Sequence, residues 1–574
     1  MKLPEPWLSE RWMPESVRCW RTYNRQDFGA DLLAGITVGL VALPLAMAFG
    51  IASGVTPQAG LYTAIVAGCL ISAMGGSRMQ IGGPTGAFVV IVAGIVGKFG
   101  VAGLALVTMM AGAMLVVMGL TGLGSAVKFI PRPVTIGFTN GIALLIASTQ
   151  IKDFLGLTTG DVPSAFLPRM KVLLEAIGTI SWPAVAVSLA TLAVMVVLPR
   201  LTKRVPGSIV AMLGCTVVAA ALGLQIETIG TKFGGIPASF PKFSLPAFKI
   251  DHVVPLFPSA LTVALLAAVE SLLSAVVADS LSGTRHNSNM ELVAQGVANL
   301  ASPLFGGIPA TGAIARTATN IRAGARTPIA GVIHAITLLT VLVAAAPLAR
   351  YIPLATLSAV LFVVAYNMGE WREIATIMRL SKADIAVWAV TFALTVFADL
   401  TVAVEVGMVL ASLLYIYRIS QTTTVEPVTK EYIRDGRPHI LQDKQVPSNV
   451  SILRIHGPFL FGTTEKLAEV TENLDVYPTV VIVRLRNMTA LDATGLHALE
   501  VFAQRLRKSG RTLLLCGARD QPARLLHQAD FIEHVGEQNI VPHVEAALER
   551  AHEINAAFSG VGPEMAGDFQ NTSI

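Results

Sequence analysis

Two stretches far apart in the chain nearly repeat each other: Gly82-Gly83-Pro84-Thr85-Gly86-Ala87 and Gly306-Gly307-Ile308-Pro309-Ala310-Thr311-Gly312-Ala313. Each interrupts a long apolar region and is followed by a helix-like apolar run. Gly and Pro at such a point break a membrane helix and leave backbone N–H groups without partners. A bilayer tolerates that only where the backbone is buried in protein or lines a cavity. A matched pair of such breaks in two halves of a chain points to a transporter's binding site. Half-helices starting after each Pro would aim their N-termini at the membrane centre, where open N–H groups and the helix dipole favour an anion. The small residues Gly86, Ala87, Gly312, Ala313 and Ala315 keep that backbone accessible, and the Thr85 hydroxyl adds one oriented hydrogen bond. The competing reading is that the glycines only permit close helix packing.

Two charged side chains stand near these breaks. Arg316 lies one turn beyond the second, beside Thr317, and an intramembrane Arg is costly enough to suggest a functional charge for the anion. Its alternative is to reach the cytoplasmic surface with Arg322 and Arg326. Glu270 lies deep in the apolar run Leu265–Ser274, with Ser274 at i+4 on the same helical face. Burial in a low dielectric favours the neutral carboxylic acid, so Glu270 and Ser274 are candidates for coupling anion uptake to proton uptake. The alternative is a structural carboxylate bonded to helix ends or to Arg316. Asp279, Asp399 and Glu405 read as structural. His497, His527, His534 and His543 have no ligand spacing, so neither a metal nor a cofactor is expected. With no nucleophile–base pair or phosphate loop, an enzyme is not expected either.

The elements that must position these residues follow from composition. The chain has 574 residues, 53% hydrophobic and 14% charged, against roughly 25% charged in soluble proteins, which indicates a polytopic membrane protein. The net charge of +5 suits basic cytoplasmic loops better than a nucleic-acid surface. Cys19, Cys69, Cys215 and Cys516 are scattered, without a disulfide frame. The first 30 residues are polar and lack a signal peptide's apolar core, which predicts a cytoplasmic amino terminus.

Apolar segments start near Leu32, Gln58, Gly86, Leu104, Val134, Trp182, Ser208, Phe257, Leu292, Ala313, Pro328, Pro353, Asp384 and Thr401, about 14 in all. An even count returns the carboxyl terminus to the starting side. Lys128, Arg132, Arg200, Lys203, Arg204, Arg322, Arg326, Arg372, Arg379 and Lys382 then fall inside. Lys152, Arg169, Lys171, Lys232, Lys242 and Lys249 are the exceptions outside. The breaks occupy the third and tenth segments, equivalent places in a seven-plus-seven repeat whose second copy is inverted.

After Arg418 the composition changes. Strands at Val450–Ile455, Val480–Leu485 and Thr512–Cys516 alternate with helices at Thr464–Leu474, Thr494–Ser509, Gln521–Ala529 and His543–Ile554, which predicts a small α/β domain. The expected division is a cytoplasmic segment 1–30, a transmembrane domain 31–420, a linker 421–448, the α/β domain 449–555 and a disordered tail 556–574.

Further motifs carry a specific resemblance. They are Leu43-Pro44-Leu45-Ala46-Met47-Ala48-Phe49, Gly60-Leu61-Tyr62-Thr63-Ala64, Thr284-Arg285-His286-Asn287-Ser288-Asn289, Glu291-Leu292-Val293-Ala294-Gln295-Gly296, Arg316-Thr317-Ala318-Thr319-Asn320, Gly324-Ala325-Arg326-Thr327 and Leu491-Asp492-Ala493-Thr494-Gly495. Over about residues 25–550 the chain resembles the SulP anion transporters (solute carrier family 26) with a carboxy-terminal STAS domain. The resemblance implies 14 segments in two inverted repeats forming core and gate domains, commonly a dimer, moving its substrate by an elevator-like shift. It also implies that Phe49 and Thr85 line the anion pocket.

Sodium-coupled bicarbonate members carry Asp where Glu270 sits and Thr where Ile314 sits, so the resemblance favours proton over sodium coupling. In bacterial regulatory proteins that the STAS domain resembles, the residue at Thr494 is phosphorylated; helix N-capping is its simpler role. The expected function is proton-coupled symport of a dicarboxylate, sulfate or bicarbonate. The expected setting is a bacterial inner membrane, with a lipid environment, a homodimer, cytoplasmic termini and a cytoplasmic regulatory protein at the STAS domain. An uncoupled channel or exchanger, and an anion sensor signalling through the STAS domain, are the alternatives. A nucleobase carrier of the same architecture would not be expected to carry that domain.

Overall fold

The computed structural model describes residues 12–124, 131–160, 162–202, 206–245, 253–398, 400–427, 446–472 and 478–559. Lys128, Lys203, Arg204, Lys249, Asp399, the side chain of Glu405, linker residues 428–445 and the tail from 560 lie outside the described residues. The chain divides into two compact units, Met1–Val409 and Leu410–Ile574.

Among the described residues, fourteen helices, most of them apolar, correspond in order to the segments read from sequence. The first half holds α1 (Arg25–Ala52), α2 (Pro57–Met74) and the run Gly86–Leu120, which Gly100 (φ 69°) breaks into α3 (86–99) and α4 (101–120). It continues with α5 (Arg132–Leu155), α6 (Trp182–Leu201) and α7 (Gly207–Ala221). The second half holds α8 (Val253–Ser282), α9 (Ser288–Ala301), α10 (Ile314–Arg322), α11 (Ile329–Ala349), α12 (Leu354–Met368), α13 (Lys382–Phe397) and α14 (Leu400–Thr422). Among the described residues, eight helical stretches are long and apolar enough to cross a membrane. Helix α1 starts at Arg25, earlier than its apolar run, because Asn24 caps it: Asn24 Oδ1 accepts from Gln26 N at 2.8 Å and Asp27 N at 2.9 Å.

The halves interlock through α1, α2 and α11, and through α4 against α9. A second group packs α5 against α12 and α13, and α6 against α7 and α12. These are the core and gate layers of the expected fold. Small residues set the closest crossing. A Cβ at Gly60 of α2 would run into the Ala46 carbonyl oxygen of α1, so only glycine allows that approach. Gly60→Ala is expected to cost about 1–3 kcal/mol of stability, read as a lower unfolding temperature of the detergent-solubilised protein.

A short helix, Glu15–Trp20, docks on the end of α2, where Glu15 N donates to Gly75 O at 3.0 Å. Arg78 Nε lies 3.3 Å from the buried Cys19 sulfur. Fully buried Asp31 holds the α10–α11 loop by accepting from Arg326 N at 2.7 Å and Thr327 N at 3.1 Å. The Tyr23 phenol, pushed up to about 12 by burial and the Asp31 charge, donates to the same carboxylate. Two of the basic exceptions outside also have structural explanations. Buried Arg169 donates to Ser148 Oγ at 2.9 Å, and Lys232 pairs with Asp153 at 3.5 Å.

Two very short strands, β1 (Gly82–Gly83) and β2 (Thr311–Gly312), pair antiparallel in register Gly82↔Gly312 and Gly83↔Thr311. The second unit carries a five-stranded sheet of β3 (Thr424–Pro427), β4 (Val450–Phe459), β5 (Val480–Leu491), β6 (Thr512–Cys516) and β7 (Ile540–Val541), ordered β3-β4-β5-β6-β7. Only β3 runs antiparallel to its neighbour. Thus the stretch expected to be linker opens with an edge strand, too short and polar to show the period-2 apolar pattern. Alternation along the central strands sends Leu453, Val481, Val483 and Leu515 to one face. Ile452, Val480, Ile482 and Leu514 go to the other.

Helices α15 (Glu465–Glu472), α16 (Ala493–Lys508), α17 (Asp520–Gln528) and α18 (Val544–Ser559) complete this unit. The capping residue of α16 is Asp492, not Thr494. Asp492 Oδ1 accepts from Gly495 N at 2.8 Å and Oδ2 from Phe461 N at 3.0 Å, while Thr494 is exposed in the first turn. Asp492→Ala is expected to lower the stability of this domain by about 1 kcal/mol, measurable by chemical denaturation.

Candidate anion site at the paired helix breaks

The β1–β2 pairing joins the two breaks that the sequence separates by more than 200 residues. The pair is held by backbone and by polar side chains of α8, α9 and α10. Ala313 N donates to Ile81 O at 2.8 Å, and Gly312 N to Ser271 Oγ at 3.2 Å. Ser271 Oγ and Thr311 Oγ1 lie 2.7 Å apart, and Gln80 Nε2 donates to Ser271 O at 3.1 Å. Asn299 clamps Ala310 through both its amide atoms, each at 2.8 Å. Thr317 Oγ1 accepts from Ile81 N at 3.1 Å and meets Ser274 Oγ at 3.1 Å. These hydroxyl and amide groups replace the helical bonds that glycine and proline remove.

The open donors therefore differ in part from those expected. The Gly312 N–H is taken by Ser271 Oγ and the Ala313 N–H by Ile81 O across the pairing. The N–H groups of Ile314 and Ala315, at the start of α10, meet no acceptor among the described residues, nor do those of Gly86 and Ala87 at the start of α3. Ile314 and Ala315 are exposed, so their backbone is reachable. Phe49, Ile146 of α5 and Met368 of α12 surround the tip of α3: a Cβ at Gly86 would lie 3.5, 3.1 and 3.3 Å from their side chains. The half-helix tip is thus met by apolar groups from both layers.

Glu270 and Arg316 have separate partners. Thr85 Oγ1 donates to Glu270 Oε2 at 2.8 Å. Arg316 is 2% exposed, and its Nη2 donates to the Pro84 carbonyl, while Nη1 meets no hydrogen-bond partner among the described residues. It lies against Gly83, whose φ of 148° and missing side chain admit the guanidinium. The cytoplasmic-surface reading of Arg316 is excluded by this burial. No ion pair joins it to Glu270 among the described residues. Ser274 is bonded to Thr317 instead of sharing the Glu270 carboxylate. Asp279 accepts from His286 N at 3.1 Å, closing the α8–α9 turn as a structural acid does.

Several residues essential to this arrangement were not singled out from sequence: Gln80, Ser271, Asn299 and Thr311. Their signal was polarity inside apolar helices beside the breaks, which spacing alone did not distinguish from ordinary helix back-bonding. Glu291 is another. Its Oε2 accepts from Gly76 N at 3.0 Å and Ser77 N at 3.2 Å, fixing the loop that leads into β1.

Comparison with known proteins agrees with this architecture. Residues 28–391 match the sulfate permease family and residues 442–547 the STAS domain. The chain is 43% identical over 526 residues to YvdB of Bacillus subtilis, a protein named as a sulfate transporter, covering 91% of this chain and 98% of that one. It is 32% identical to the transmembrane domain of a cyanobacterium bicarbonate transporter, BicA, with a TM-score of 0.59 over 68% of this chain and 98% of that one. The murine solute carrier 26 family member A9 anion transporter, in an inward-facing state, shares the fold at a TM-score of 0.83 over 96% of each chain, with 17% identity. With its apolar helices, its paired breaks and its sheet-bearing second unit, the chain belongs to the sulfate permease (SulP) family of membrane anion transporters, carries a STAS domain, and is an integral membrane protein and not an enzyme.

Proposed function

We propose that the protein takes up a small anion together with a proton, binding the anion between the starts of α3 and α10 and the proton on Glu270. The observation that carries this reading is the 2.8 Å bond from Thr85 to Glu270. An ionised Glu270 beside the anion repels it, and it also fixes the Thr85 proton on itself. Protonation removes the like charge and lets the carboxyl donate, freeing Thr85 to donate to the anion. Each event then favours the other, and by linkage the two affinities rise together.

Phe49, Gly86, Ala87, Gly312, Ala313, Ala315 and Arg316 shape or support the anion site in this reading. Ser274 acts only through Thr317, on the α10 side. Ile314, 42% exposed at the site, offers no side-chain oxygen to a sodium ion, which supports proton over sodium coupling. Among the candidate anions, sulfate and bicarbonate are those named for the relatives, with a dicarboxylate third. Movement is elevator-like, the core layer carrying the breaks past the gate layer.

We place the protein in a bacterial inner membrane as a homodimer with both termini cytoplasmic. We read the domains as a segment 1–30, a transmembrane domain 31–420, a linker 421–448 and a STAS domain 449–555, and assign β3, which pairs with β4, to the STAS domain. There, exposed Thr494 is a candidate regulatory site for a cytoplasmic partner. A screen of labelled sulfate, bicarbonate and dicarboxylate uptake into proteoliposomes tests the reading, under an imposed pH gradient and, separately, a sodium gradient. Uptake driven by the pH gradient is expected; sodium-driven uptake indifferent to pH would overturn the coupling.

A further inference from the structure

An apolar groove of about 390 Å³ lies between α7 and the α1–α11 pair, lined by Leu43, Met47, Met212, Thr216, Val341 and Tyr351 among others. It contains none of the anion-site residues. Its α7 wall is flanked by Leu213 and Val217, 57% and 66% exposed, so the groove opens sideways toward the membrane. One end closes at Tyr351, itself half exposed, and the Arg350 guanidinium carbon stands 5.3 Å from that ring's centroid. Arg350 has no carboxylate partner among the described residues. Asp153 near the end of α5 and Glu227 in the loop after α7 are engaged by Lys232, at 3.5 and 3.9 Å. An apolar groove thus ends at an exposed, unneutralised cation stacked on a tyrosine.

We propose that this groove is a phospholipid site, with one acyl chain along α7 and α11 and the headgroup phosphate on Arg350. Within a bilayer, water in such a groove would lose hydrogen bonds that Leu, Met and Val cannot replace, whereas an acyl chain loses nothing. A guanidinium matches phosphate oxygens through two parallel N–H donors, which a carboxylate-free Arg350 has available. Tyrosine at the end of a spanning helix sits where headgroups begin. The apolar wall and the cation together select an anionic phospholipid over a bare hydrocarbon. A lipid held there touches α7 on one side and α1 and α11 on the other, so it lubricates or restrains their sliding.

Photolabelling of the full-length protein in phosphatidylcholine vesicles tests this. The probe is phosphatidylglycerol with a diazirine in its acyl chain, compared with a diacylglycerol bearing the same chains; labelled peptides are identified by mass spectrometry. Labelling by phosphatidylglycerol should concentrate on residues 209–220 and 341–352. It should fall about fivefold in Arg350→Gln, the factor that one basic residue near a charged lipid surface contributes. Thr216→Trp, which fills the groove, should reduce labelling by both probes, and diacylglycerol labelling should not respond to Arg350→Gln. Labelling of the membrane-exposed α6 serves as the internal reference for correct insertion. Labels spread evenly over α6 and the groove, or unchanged in both variants, would overturn the proposal whatever anion the protein carries.

Discussion

Glu270→Gln should lose accumulation driven by a pH gradient while still binding the anion. Glutamine keeps an oxygen that accepts from Thr85, so the 2.8 Å contact and the start of α3 are preserved. It cannot exchange a proton. An inward gradient of one pH unit supplies about 1.4 kcal/mol per proton, enough for up to about tenfold accumulation of a monovalent anion carried with one proton. The wild type should respond to that drive and the variant should equilibrate only down the anion's own gradient. Removing the like charge should leave anion affinity equal or higher. Uptake time courses with and without the gradient, beside equilibrium anion binding, separate coupling from binding. A variant that still accumulates anion against its gradient would assign the proton to another group.

The second large effect is expected at Arg316. Its guanidinium is buried and reaches across the break to the Pro84 carbonyl. Arg316→Gln leaves that carbonyl without its charged donor and removes the positive charge behind both half-helix starts. Hydrogen bonds to charged groups contribute about 1.5–3 kcal/mol, so anion affinity should fall about ten- to hundredfold. Arg316→Lys should recover only part of it, because an ammonium lacks the flat guanidinium that fits against Gly83. Calorimetric titration with sulfate and bicarbonate reads the affinity, and the unfolding temperature reports whether the site or the whole core is affected. Wild-type affinity in Arg316→Gln would make the residue a support of the fold alone.

Much of this architecture was legible because its signals are long. Long apolar runs mark most of the fourteen helices, the nine-residue, polar α10 excepted, and alternating Val, Ile and Leu mark the central strands of the second unit. The breaks were legible because glycine and proline in hydrocarbon have few explanations. Their pairing was not. Strands β1 and β2 have two residues each, too short to carry a periodic pattern, and their partner lies in the other half of the chain. That pairing takes the Ala313 N–H, Ser271 Oγ takes that of Gly312, and the open donors of α10 move to Ile314 and Ala315. Likewise Arg316 and Glu270 read as one neighbourhood of opposite charge, yet each has its own partner, Pro84 and Thr85. Which side chain meets which is decided by helix rotation, and uniformly apolar helices such as α8 give no amphipathic face from which to read it. In the second unit, Asp492 rather than Thr494 caps α16, because its carboxylate also reaches Phe461 on the preceding loop.

Proposed co-movement of anion and proton rests on Thr85 and Glu270. The most direct measurement is the internal pH of proteoliposomes, followed with a trapped dye, when sulfate or a dicarboxylate is added outside with no imposed gradient. The interior should acidify in step with labelled-anion uptake, and that acidification should be lost in Glu270→Gln. Anion uptake with no change in internal pH, or acidification that persists in the variant, would contradict it.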